Sequence, residues 1–210
     1  MLKKQFGIIK EFCHKYRLIP LFSSIFSLVL SLINFVSFFS NYNWSNIAAA
    51  CFYLFFSIGY SILNFTAIEK RMDPYLFGAL LITLLLMPML AYLYFLFSSD
   101  KGFTLLFDWV VYLYALYAFI KISLAIKNLV SRKKDKESKT QVNFCIGLIS
   151  AAYTMSLLAN HMIEFTNSKS DQQMRIVLIV IQFAVFLLDL ITIVYFLYCY
   201  CRERKQRNEK

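Results

Sequence analysis

Glycine, proline and histidine are scarce in this sequence, at 5, 3 and 2 among 210 residues. So few helix breakers exclude collagen-like and low-complexity architectures and leave long stretches free to remain helical. They also argue against spans unwound at Gly and Pro, the device of broken-helix transporters. Two histidines give no converging set of metal ligands. No Walker loop, GxGxxG, GxSxG, HExxH or CxxC motif occurs, and no soluble catalytic domain exists. The expectation is a non-enzyme without metal or cofactor. Charge is thin as well: 16% of residues are Asp, Glu, Lys or Arg, against about a quarter in soluble domains.

What is present is apolar. Hydrophobic residues make up 60% of the chain and the mean hydropathy is +0.59. One soluble core could not bury this much apolar surface, so the solvent it suits is lipid. About 20 apolar residues cross the hydrocarbon as a helix, and six runs fit: 18–40, 46–68, 74–97, 104–126, 143–164 and 175–199. Pro20 and Pro74 fall in first turns, where a missing N–H costs little. The expected fold is therefore all-α, an integral membrane bundle of six transmembrane helices. It divides into an amphipathic interfacial segment over 1–17, a transmembrane domain over 18–199 and a basic tail over 200–210. In the first segment Leu2, Phe6, Ile9, Cys13 and Tyr16 recur at helical spacing. The apolar run that follows it is too long for a cleaved signal peptide, and no small-residue cleavage site comes after that run.

Charge placement sets an orientation. The net charge is +10, which in a soluble chain would raise the question of nucleic acid; here it reads as topology, with no nucleic-acid partner. Basic residues gather before Leu18, at Lys70 and Arg71, in the run SRKKDKESK and its flank, and after Cys201. The other three loops hold only Lys101, Lys169 and Arg175. The positive-inside rule then places both termini in the cytoplasm, which suits a bacterial plasma membrane. The SRKKDKESK hairpin reads first as a topology determinant and otherwise as a docking site for anionic lipid or a partner. The five cysteines fall in spans or on the inner side, so no structural disulfide is expected. Cys199-x-Cys201, at the exit of the sixth span, is a candidate for S-acylation. Asn43-Trp44-Ser45 formally matches a glycosylation acceptor close to the membrane.

Polar residues at membrane depth are costly, so each is a candidate. Asp189 lies near the middle of span six, and Lys121 lies in span four, inward of its centre. Their nominal depths differ by under ~10 Å at 1.5 Å per residue. Three readings stand: an ion pair locking spans four and six, a proton or substrate site, or a snorkelling Lys121 beside a protonated Asp189. Gln182 joins them as a buried polar site, while Asn34, Asn64 and Asn128 read as interhelical hydrogen-bonding groups. Asp108, Asn160, His161 and Glu164 form a second set that would line an outer vestibule or simply end their helices at the interface. Pro88 in span three should kink it and is the candidate hinge. Tyr112, Tyr114 and Tyr117, with Tyr195, Tyr198 and Tyr200, read as interfacial and packing aromatics.

The stretch from Asp108 to Phe165, with YALYAFIKISLAIKNLVSRKKDKES followed by LISAAYTMSLLANHMIEF, resembles a group of uncharacterised six-span membrane proteins of low-GC Gram-positive bacteria. That resemblance implies the six-span fold and brings no activity and no site residues. In size the chain is also similar to substrate-binding subunits of vitamin-uptake transporters, but span one lacks their coupling motif of spaced alanines. No convincing inverted repeat relates the two halves. The leading expectation is a small transporter or permease-like subunit in the lipid bilayer, as a homo-oligomer or with a partner membrane subunit. The alternative is a scaffold, sensor or immunity protein acting through its basic cytoplasmic face.

Overall fold

A computed structural model describes residues 18–65, 72–98, 110–131, 138–165 and 172–208, with side chains for 20–65, 72–98, 110–123, 138–163 and 176–206. Every element is an α-helix: α1 Leu18–Asn41, α2 Trp44–Phe65, α3 Pro74–Ser98, α4 Val110–Ser131, α5 Ser138–Phe165 and α6 Gln172–Asn208. Five of them, all but α4, are long and apolar enough to cross a bilayer; the apolar part of α4 runs Val110–Ser123. The chain is a helical multi-pass membrane protein. The amphipathic segment 1–17 lies outside the described residues.

Helix ends follow local chemistry. α1 closes at Tyr42, whose φ of 49° is left-handed and whose N–H returns to the Phe38 carbonyl at 2.7 Å, the geometry of a helix C-cap. Asn43 then caps α2, its Oδ1 accepting from the Ser45 N–H at 3.0 Å. Asn43 is buried, so the glycosylation reading is withdrawn. Asp73 caps α3 in the same way, accepting from the Tyr75 N–H at 3.0 Å, with Pro74 at the first helical position. α3 runs on through Pro88 to Ser98. α5 begins five residues before the expected Asn143, and α6 continues nine past the expected Cys199. Polar and charged residues there still form good helix once backbone groups need partners.

The helices form a closed ring. α2 packs on α1 and α3, α6 on α3, α5 on α6, and α4 on α5; α5 also reaches across to α2 and α3. Between α4 and α1 the ring closes through long side chains. Two glycines set close crossings: a Cβ on Gly59 would collide with the Leu81 side chain, and one on Gly78 would meet Phe196 Cε2 at 2.7 Å and Val142 Cγ1 at 2.8 Å. Small residues at such crossings let backbones approach, which drives association where lipid is as apolar as the side chains. Among the described residues Cys51, Cys145, Cys199 and Cys201 form no disulfide.

Gly147 is the contrasting case, since a Cβ there would meet nothing within 4 Å. We expect Gly78→Ala to lower stability by ~1–3 kcal/mol through overpacking against Phe196 and Val142. Gly147→Ala should be neutral or stabilising by up to ~1 kcal/mol through helix propensity. Thermal unfolding of the two variants in detergent checks the contrast.

Candidate functional site

The polar side chains of the bundle point inward. On α1, Ser23, Ser24, Ser27, Ser31, Asn34 and Ser37 are all buried. Their three- and four-residue spacing puts them on one helix face. Of this stripe only Asn34 stands out in the sequence by residue type, although the serines recur at the same helical period. Ser31 Oγ donates to the Ala50 carbonyl at 2.8 Å, and Ser57 Oγ donates to the Ser24 carbonyl at 2.8 Å, tying α1 to α2. Three residues of α4 cross to the same stripe. Tyr114 takes a hydrogen bond from Asn34 Nδ2, the Tyr117 hydroxyl lies 2.6 Å from Ser27 Oγ, and Lys121 Nζ donates to Ser23 Oγ at 2.5 Å. Tyr117 also lies 3.5 Å from Ser150 Oγ on α5. Tyr114 and Tyr117 are thus core residues, whereas Tyr112 and Tyr198 are exposed. Aromatic stripes cannot be split this way from spacing alone, because ring and hydroxyl suit core and interface equally.

Lys121 does not snorkel and does not meet Asp189. It is 5% exposed, and its ammonium sits over three rings: Phe56 at 4.3 Å, Tyr60 at 5.0 Å and Tyr117 at 5.2 Å from their centroids. Ring faces attract a desolvated cation by ~2 kcal/mol each in favourable cases. One hydroxyl and three rings hold Lys121, and no carboxylate does so among the described residues. The ion-pair reading is corrected accordingly: the two groups are buried in different seams, Lys121 among α1, α2 and α4, and Asp189 on the face of α6 that packs against α3 and α5.

Asp189 is fully buried. It lies on a stripe of α6 with Leu178, Gln182, Val185, Thr192 and Phe196, all buried at the three- and four-residue spacing of one face. Neither carboxyl oxygen makes a hydrogen bond. The hydroxyl of Tyr153 on α5, also buried, likewise makes none. Tyr153 packs at 3.9 Å between centroids on Phe52, and edge-on at 6.1 Å to Tyr92. Gln182 Oε1 accepts from Ser156 Oγ at 2.7 Å, while its Nε2 is unsatisfied.

The outer vestibule is not what the described residues build. Asn160 and His161 are buried, and Asn160 Nδ2 donates to the Tyr92 hydroxyl. They sit on the face of α5 that meets α3 and α6, so packing wins over the interface. Asp108 and the side chain of Glu164 lie outside the described residues. Pro88 is buried on α3 and leaves the Leu84 carbonyl without its helical donor. Counting from the Gly78–Phe196 contact along antiparallel helices, Asp189 lies level with Leu85, within about one turn of Pro88. Asn64 and Asn143 exchange two hydrogen bonds of 3.0 Å, joining α2 to α5. A separate groove of about 330 Å³ between α2 and α3, lined by Phe55, Ile58, Met72 and Leu84 among others, is wholly apolar in its lining residues. No group of three His, Cys, Asp or Glu side chains suited to a metal occurs among the described residues.

No protein-family model, no curated protein and no solved structure matches the chain.

The ring cage around Lys121 makes a sharp expectation. Lys121→Met keeps an unbranched apolar stem against the rings, so that variant should fold with a loss of ~1–2 kcal/mol from the missing cation–π and hydroxyl contacts. Lys121→Glu places a carboxylate against electron-rich faces and should not yield monodisperse protein. Size-exclusion profiles and melting curves in detergent decide between them.

Proposed function

We propose that the chain is a small transporter or permease-like subunit of a bacterial plasma membrane, spanning it six times with both termini cytoplasmic. The observation that carries this is Asp189, a carboxyl buried in the bundle with both oxygens unpartnered. A purely structural acid in a membrane core finds a basic or hydrogen-bonding mate, because leaving it unmated costs several kcal/mol. Asp189 has neither among the described residues, and this supports a role in taking up something from outside the chain. The span added to the five long apolar helices is α4, whose lysine within the apolar stretch, Lys121, is turned inward and held by rings. The orientation rests on the positive-inside asymmetry. Pro88, about a turn from the level of Asp189, is the hinge of this reading. The protein acts as a homo-oligomer or beside a partner membrane subunit, and it belongs with the six-span Gram-positive group that its Asp108–Phe165 stretch resembles.

A second reading, a scaffold, sensor or immunity protein, draws on one feature: α6 continues as helix beyond its apolar stretch with Arg202, Arg204 and Lys205 exposed. A rigid basic helix is a natural handle for an acidic partner or anionic headgroups.

A cysteine at position 189 in a Cys-free variant separates them. Transport requires a water path, so a membrane-impermeant maleimide should label that cysteine from one side of sealed vesicles. Protection from both sides in a folded variant sinks the transport reading and leaves the scaffold.

A further inference from the structure

The seam of α3, α5 and α6 is tied shut at one end by a single amide. Tyr75 on α3 and Tyr195 on α6 both donate to Gln141 Oε1 on α5, at 2.9 and 3.3 Å. One oxygen thus holds three helices together. Behind this clamp Phe196 fills the seam. Its ring lies 5.9 Å from that of Tyr75, and it is fully buried where Gly78 and Val142 meet it. Ile82 and Ile146, one turn further along the same faces of α3 and α5, are also fully buried. Asp189 follows two turns beyond Phe196 on the same face of α6, about 10 Å along the axis at 1.5 Å per residue. The clamp sits at the basic end of the bundle, where α5 begins in the SRKKDKESK run and α6 continues to Arg202 and Arg204.

The part of this seal free to move is the first half of α3. Pro88 deprives the Leu84 carbonyl of its helical donor, so α3 bends most readily there, level with Asp189. That sets off an arm, residues 74–84, which carries Tyr75 and Gly78. On the seam side the arm is held by ring packing and by neutral hydrogen bonds, each modest in net strength. On its other side lies the apolar groove of about 330 Å³, bordered by Leu80 and Leu84 on the arm and by Ile58 and Ile62 on α2. All four are exposed on the bundle surface, where a bilayer presents acyl chains. Lipid tails are as apolar as these side chains, so exchanging one contact for the other changes little. We infer that residues 74–84 are a gate. They swing toward the groove about Pro88, part Tyr75 from Gln141 and Gly78 from Phe196, and open Asp189 to the basic side of the membrane. This deepens the transport reading, on which it rests, by naming the barrier on one side of Asp189.

Two measurements on the full chain test this. The first is the rate at which an impermeant maleimide, added on the basic side of sealed vesicles, labels Asp189→Cys in a Cys-free background. Gln141→Leu cuts both bonds of the clamp and should raise that rate severalfold. Asn143→Leu cuts two bonds at the same end of the bundle, those to Asn64 on α2, and should leave it unchanged. Ile58→Trp fills the groove with apolar bulk and should slow labelling of the Gln141→Leu variant severalfold. If Gln141→Leu does not fold, Tyr75→Phe removes one bond of the clamp, and a smaller rise is expected. The second measurement leaves Asp189 intact and reads the distance between spin labels on cysteines replacing Leu76 and Leu197. Cutting the clamp should add a population at longer distance. A labelling rate that ignores the clamp, or that Asn143→Leu raises as much as Gln141→Leu does, overturns the gate and leaves transport standing. An unchanged distance in the clamp variant also overturns the gate. Protection of position 189 from both sides in every folded variant, with the longer distance present, removes transport and leaves the movement of the arm.

Discussion

Inside a bilayer the apolar faces of helices gain nothing by leaving lipid for one another, so a bundle must be held by what lipid cannot offer: hydrogen bonds and close backbone contact. The ring of helices described above is built on that constraint. Its outer surface is Leu, Ile, Val and Phe, and its interior holds serines, asparagines and tyrosines. The closure between α4 and α1 depends on it most, because those two helices meet through Tyr114, Tyr117 and Lys121 reaching to Asn34, Ser27 and Ser23. Without these bonds α4 would be held by α5 and by ring contacts to α2, with no hydrogen bond tying it to α1.

The two buried ionisable groups answer the same constraint in opposite ways. Lys121 is neutralised by geometry, with ring faces replacing an anion. Asp189 is left open. A bundle that can house a lysine without a carboxylate had no need of Asp189 to balance it, and the separation of the two seams means each can be altered without directly undoing the other.

Much of the architecture was legible because hydrophobic length is a strong signal. The α1 and α3 boundaries fell within a residue of the expected 18–40 and 74–97, where caps and prolines mark the ends. Asp189, Lys121 and Gln182 were legible as interior polar residues, since few polar residues occur at that depth. Their partners were not. Pairing depends on which faces meet, and a depth estimate along each helix carries no azimuth; hence Lys121 and Asp189, close in nominal height, face different seams. The serine stripe of α1 was readable by its period but is easily passed over, because serine hardly disturbs hydropathy. Asn160 and His161 were misplaced for a related reason: a helix end in sequence is not an interface in space when neighbouring helices extend as far.

The two-residue link at Tyr42 and Asn43 bears on how the protein is made. α1 leaves the ribosome with six buried-to-be polar residues that lipid would not tolerate singly. α2 follows immediately and supplies the Ala50 carbonyl and the Ser57 hydroxyl, so the pair can enter the bilayer as one hairpin with part of its polar face already matched. Phe56 and Tyr60, the rings that will hold Lys121, are in place before that lysine is synthesised. Asp189 comes in the last span, into a bundle otherwise assembled. The order of translation therefore runs from the groups that satisfy one another to the one the chain leaves open.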